Sequence, residues 1–187
     1  MIINDKEKLI RNLWLYRTFI FKFTKFSTES KDKEMIDIIN ALNIKNKYKR
    51  IYFIIDKTCD YIDDYYKEFD TCKFENSKCI CYRKKNLNYI NGCCRKCLFQ
   101  SNTGCITKNV ACKLFLCSYA KENINELKFK NIKIIYLLNP LLRYLLRNDY
   151  FSKIEDVSLD LYLGFFIGSF RVLFRFLKLI LRKYINI

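Results

Sequence analysis

The sequence predicts a mainly α protein whose helices flank an irregular cysteine-rich metal-binding module. Three observations carry that expectation. The chain has only four glycines and one proline in 187 residues, too few for the frequent turns of an all-β fold. Apolar residues recur at three- and four-residue steps in several long stretches. That periodicity stops between about 71 and 108, where cysteines crowd among Asn, Ser, Thr and Gly. Hydrophobic residues make up 51% of the chain, enough to bury a core and to exclude disorder by composition. The organisation expected is N-terminal helices over 1–70, the cysteine module over 71–121 and C-terminal helices over 122–187, within one compact domain.

Taken in order, residues 8–26 form an apolar and basic helical segment that includes Trp14. Ser30 is placed to cap a second helix over about 31–43, which opens on Asp and Glu as the helix dipole favours. Residues 47–69 carry the clearest pattern: Ile51, Ile54, Ile55, Thr58, Ile62, Tyr65, Tyr66 and Phe69 share one face, and Cys59 falls at its edge. A helix is expected to resume with Thr107 as its cap and run to Lys121, and 131–138 reads as helix or strand. Asn139 before Pro140 is a cap followed by a first helical position, predicting a helix to about 148. Ser152 and Glu155 then fit a capping box at the start of a long terminal helix.

The net charge is +16, from 35 basic and 19 acidic residues, which favours a polyanionic partner over a neutral one. Lysine-rich, AT-biased coding explains part of the excess and a solvated surface the rest of the bland reading. The opening "MIINDKEK" has mixed charge, and the apolar run 13–23 is cut by Arg17 and Lys22 and lacks a small-residue cleavage site. A cytoplasmic location is therefore expected, with membrane association as an addition to it. In that reducing pool ten cysteines point to metal or redox chemistry; an exported chain would turn them into disulfides.

"GCCRKCLFQSNTGCITKNVACKLFLC" (92–117) holds six of those cysteines, and the chain has no histidine. The candidate metal ligands are Cys79, Cys81, Cys93, Cys94, Cys97, Cys105, Cys112 and Cys117. Cys94 and Cys97, two residues apart, suit one ion; zinc and a [4Fe–4S] cluster each need four such donors. Without imidazole the donor set is all-thiolate. Residues 71–118 contain nine bases and one acid, Glu75, and Arg95, Lys96, Lys108 and Lys113 are expected to offset thiolate charge. Cys59 and Cys72 read as buried small apolar residues instead.

"CLFQSNTGCITKNVACKLFLC" (97–117) resembles the second half of a bacterial cysteine-cluster family described as zinc- or iron-chelating. Cys97, Gly104-Cys105, Cys112-Lys113 and Cys117 match its positions, Lys108 stands where that family has Arg, and Asn109 replaces its proline. Cys93-Cys94 supply the family's cysteine pair, whereas Cys79 and Cys81 are too close together and too far upstream. The 59–117 stretch also resembles uncharacterised cysteine-cluster proteins of low-GC bacteria. The resemblance implies metal chelation, with an iron–sulfur cluster favoured over zinc, and no established reaction.

In 160–182 a narrow stripe of Asp160, Gly164, Gly168, Arg171, Arg175, Lys178 and Arg182 crosses an otherwise apolar segment, and 161–187 has five bases and no acid. Two placements are open. The helix packs in a bundle core with its stripe reaching the surface or the Asp56–Asp64 face, or the 160–187 helix lies on an anionic membrane surface or an oligomer contact. Spanning ranks last, because ten uncharged residues between Asp160 and Arg171 fall short of the ~20 a span needs. Nucleic acid is a weaker partner, suggested by bases among aromatics in 8–26 and Tyr82–Tyr89. No catalytic motif is visible. The carboxylates Asp56, Asp60, Asp63 and Asp64 read as a solvated face or a partner for the basic module.

Overall fold

Where each apolar face finds its partner decides the architecture. The computed structural model describes residues 1–13, 24–73, 75, 100–101, 104–121 and 127–185, and these are mainly helical. Helix α1 (Lys6–Arg11) is capped by Asp5, whose side chain accepts from the Lys8 N–H. The expected helix to residue 26 does not run that far: 24–26 are not helical, and Ile2 bridges Ser27 in parallel. The Asn43 side chain explains the change. It accepts from the Phe26 N–H at 2.9 Å and donates to the Phe26 carbonyl at 2.8 Å, so the backbone of buried Phe26 is satisfied outside a helix. Residues 14–23 of that segment lie outside the described residues.

Helix α2 (Lys33–Asn43) starts from Asp32, which accepts from the Glu34 and Met35 N–H groups. Ser30 acts one step earlier and accepts from the Asp32 N–H at 3.1 Å. Helix α3 (Lys47–Glu68) follows the sequence pattern, burying Ile51, Ile54, Ile55, Thr58 and Ile62. Thr58 tolerates complete burial because its hydroxyl donates to the Ile54 carbonyl at 2.7 Å. Cys59 lies deeper than an edge position: it is fully buried, and burial pushes its thiol up, so it stays protonated.

After the two-residue antiparallel pair β1 (Gln100–Ser101) and β2 (Gly104–Cys105), the expected helix to Lys121 is two short pieces, α4 (Val110–Leu114) and α5 (Ser118–Lys121). Asn109, not Thr107, is the cap. The 131–138 stretch is neither α-helix nor strand but contains tight 3-10 turns, Phe129–Asn131 and Ile134–Leu137. Buried Glu34 accounts for it, since its carboxylate accepts from the Lys133 and Ile134 N–H groups and also binds the Lys6 ammonium at 3.0 Å. Helix α6 (Pro140–Asn148) forms as its Asn-Pro start predicts, with the Asn139 side chain accepting from the Leu142 N–H at 2.8 Å.

The terminal helix is not continuous. Helix α7 (Ile154–Leu163) ends at Gly164 and α8 (Phe165–Ile185) begins directly after it. Gly164 has φ 98° and ψ 172°, a conformation that is essentially restricted to glycine. The bend is sharp enough for the Asp160 carboxylate to meet Arg171 and Arg175. Along a straight helix Arg171 would lie about 16 Å away. The capping box is not made either: α7 has Lys153 at its cap without a side-chain bond, and the Ser152 hydroxyl is turned to Asp149 and Arg175.

One hydrophobic cluster joins Ile3 and Leu9, the buried face of α3, Val110 of α4, Ile132 to Leu138, and α6 and α7 through Leu145, Leu146, Val157 and Leu161. Among the described residues, the α8 side chains packed against this cluster are Phe165 and Val172. The bundle-core placement is thus correct for α7 and incorrect for most of α8. Gly168 sets how closely α8 approaches, because a Cβ there would sit 2.6 Å from both the Asp160 carbonyl oxygen and Leu145 Cδ2.

Helix propensity alone favours Gly168→Ala by about 1 kcal/mol. The contact with backbone oxygen reverses the sign. Gly168→Ala is expected to lower stability by about 1–3 kcal/mol, read as a lower urea midpoint by circular dichroism. An unchanged or higher midpoint would show that α8 is not held this closely.

Candidate metal centre and the contacts that hold it

Of the eight candidate ligands, Cys79, Cys81, Cys93, Cys94 and Cys97 lie outside the described residues, as do Arg95, Lys96 and Tyr82–Tyr89. Cys105 is placed by its backbone in β2, and Cys112 and Cys117 flank the end of α4, both half-buried. Among the described residues, no three Cys, Asp or Glu side chains converge on a point that holds a metal ion. Cys112 and Cys117 therefore offer at most part of a donor set.

Helix α4 is anchored at its first residue. Asn109 is 1% exposed; its side-chain oxygen accepts from the Cys112 N–H at 2.9 Å, and its amide donates to the carbonyls of Asp149 and Ser152 at 2.8 and 3.1 Å. A proline here, as in the family that the segment resembles, would supply none of these bonds. The same 149–152 loop returns a contact to the module. The Phe151 N–H donates to Cys112 Sγ at 3.2 Å. Phe151 has φ 64°, a left-handed conformation that is uncommon for a bulky side chain and that aims this N–H at the sulfur. Backbone N–H bonds to sulfur favour the thiolate and tune a cluster that it ligates.

The second anchor is ionic. The Lys108 ammonium binds Asp56 at 3.0 Å and also Asp60, and Lys113 binds Asp63 at 2.5 Å. The Asp56 to Asp63 stripe of α3 is thus a partner for the basic module. Lys108 and Lys113, expected to offset thiolate charge, are each paired with carboxylates on α3. Asp64 pairs instead with Lys33 at the surface. Lys113 has a side chain only 4% exposed, so its partner is required rather than optional. Burial tends to raise the Asp60 carboxyl, but hydrogen bonds from Lys108 and Lys57 outweigh it and hold the group below its ordinary value.

The third set of contacts joins the loop to the terminal helix. Arg175 donates to Ser152 Oγ and to Asp149, each at 3.1 Å, and to Asp160. Burial pushes the Asp149 carboxyl up, against the Ser152 hydrogen bond and the Arg175 charge, which lower it. Beside α4 lies a cleft of about 450 Å³ lined by Leu114, Phe129 and Tyr150 with Lys128, Lys130 and Arg147 around them.

Sequence reasoning found the cysteines and the Asp stripe but missed Asn109, Phe151 and Asp149. Asn109 had a local signal, standing three residues before Cys112 at the start of an apolar run. Phe151 and Asp149 act through contacts 39 and 40 residues away in sequence and carry no local signal. No family model, curated protein or solved structure matches the chain.

Two outcomes are expected. Asn109→Ala removes a cap and leaves two loop carbonyls unbonded, and is expected to cost about 2–3 kcal/mol in a urea titration. The Asp60 carboxyl is depressed on folding, so its contribution is complete above its unfolded value and is lost as pH falls through the lower folded one. Lys108→Gln is expected to flatten that acid limb of the stability–pH curve below about pH 4. A limb of unchanged slope would mean that the Lys108 pair does not hold in solution.

Proposed function

We propose that this chain is a metal-binding protein whose cysteine module holds an iron–sulfur cluster, or failing that zinc, through thiolates alone. The observation that carries the reading is the run of eight cysteines from Cys79 to Cys117 in a chain without histidine, ending in a segment fastened to a helical body. Two features of the body support it. The left-handed Phe151 aims a backbone N–H at Cys112 Sγ, and Asn109 and Lys113 anchor α4 on either side of Cys112. The buried, protonated Cys59 has none of these features and is assigned to the core. The resemblance of 97–117 to a metal-chelating family agrees with this division and favours iron. The role is structural, or electron transfer and sensing.

The test is anaerobic purification followed by metal analysis and a visible spectrum. Stoichiometric iron with a brown colour is the predicted result for a thiolate-bound cluster. Stoichiometric zinc without colour assigns the structural role. Cys112→Ser is expected to lower metal content at least about twofold, whereas Cys59→Ser leaves it unchanged. A chain with neither metal, or one in which Cys112→Ser retains full content, overturns the assignment.

A further inference from the structure

Two bases of the stripe on the terminal helix, Arg171 and Arg175, turn toward carboxylates of the protein body. Those carboxylates are Asp160, Asp149 and Asp156, and Gly168 is buried against Asp160 and Leu145. The opposite face of α8 is therefore the outer one, and it is apolar. Phe166, Phe170 and Phe174 recur at four-residue steps and are 78%, 75% and 69% exposed. Leu173, Leu177 and Leu181 fill the same face and are each about half exposed. Ile167 and Phe176 extend it to either margin, and exposed Lys178 stands at the edge beyond Ile167. An unbroken face of this kind on one helix exceeds the scattered apolar exposure that an ordinary surface carries.

Charge decides what covers it. From 161 to 187 there is no acid, Lys178, Arg182 and Lys183 follow Arg175, and the chain carries +16. A second copy would bring an equal positive charge against the first, with like charges beside the contact. Nucleic acid bases stack on Phe but offer no acyl-like surface for Leu173, Leu177 and Leu181. An anionic bilayer satisfies both requirements, apolar side chains in the acyl boundary and bases at the headgroups. Among the described residues, no helix is long and apolar enough to cross a membrane, so the fit is to the surface plane.

We propose that α8 is a membrane-surface helix that seats the protein on anionic lipid through Phe166, Phe170, Phe174 and their leucine neighbours, with Lys178 at the headgroup level. The inward stripe has a positive role in this arrangement. Arg171 and Arg175 clamp the helix to α7, so the apolar face is displayed by a rigid body. This proposal does not depend on whether the cysteines hold metal.

The test is co-sedimentation of the full chain with vesicles of phosphatidylcholine alone and with about 30% phosphatidylserine. Wild type is expected to pellet with the anionic vesicles and to bind the neutral ones about tenfold more weakly. The double variant Phe170→Glu, Phe174→Glu alters side chains that make no core contact, and is expected to keep its helical circular dichroism and lose binding at least about tenfold. Lys178→Glu is expected to weaken only the anionic binding. Three results overturn the proposal: wild type that stays in solution with anionic vesicles, a double variant that still binds, or a dimer by light scattering that the double variant dissociates without any vesicle binding.

Discussion

The buried carboxylate of Asp160 governs much of this structure. It is fully inaccessible to water, and an ionised group there must be paired. Its partners, Arg171 and Arg175, come within reach only because the chain bends at Gly164. That one requirement sets the length of α7, the direction of α8 and the rotation of α8 about its own axis. Gly168 completes it by letting the helix approach the Asp160 carbonyl.

The same network reaches the cysteine module. Arg175 joins Asp160 to Asp149 and Ser152, and those residues lie in the loop that receives the Asn109 amide and sends the Phe151 N–H to Cys112. A chain of polar contacts thus links the outermost helix to α4. Such networks are strong when every member is satisfied and costly when one is removed. On the far side of α4, the Lys108 and Lys113 pairs with α3 hold the module to the core. The segment that carries the last cysteines is consequently fastened from two sides.

Helix α8 inverts the usual rule for an amphipathic surface helix. Arg171 and Arg175 face inward, because the interior supplies the carboxylates, and the exposed side is largely apolar. The inside of a protein accepts arginine when acids wait there. Among its described residues, Phe165 and Val172 pack against the core.

Much of the fold was legible in the sequence wherever the signal was local. The 3.6-residue period of α3 and the Asn139-Pro140 start of α6 both depend on neighbours within a turn or two. Two caps were misplaced by two residues, Ser30 for Asp32 and Thr107 for Asn109, because several capping residues stood side by side. What the sequence by itself determined was therefore a helical protein, its strongest helix, its basic charge and its supply of cysteines. Only the tertiary structure decided that Gly164 breaks the last helix, that Glu34 draws 131–138 into tight turns, that Asp56, Asp60 and Asp63 serve the module, and which face of α8 looks outward. Each of those depends on a buried charge or backbone group finding a partner from a distant element, and such pairings leave no period in the sequence.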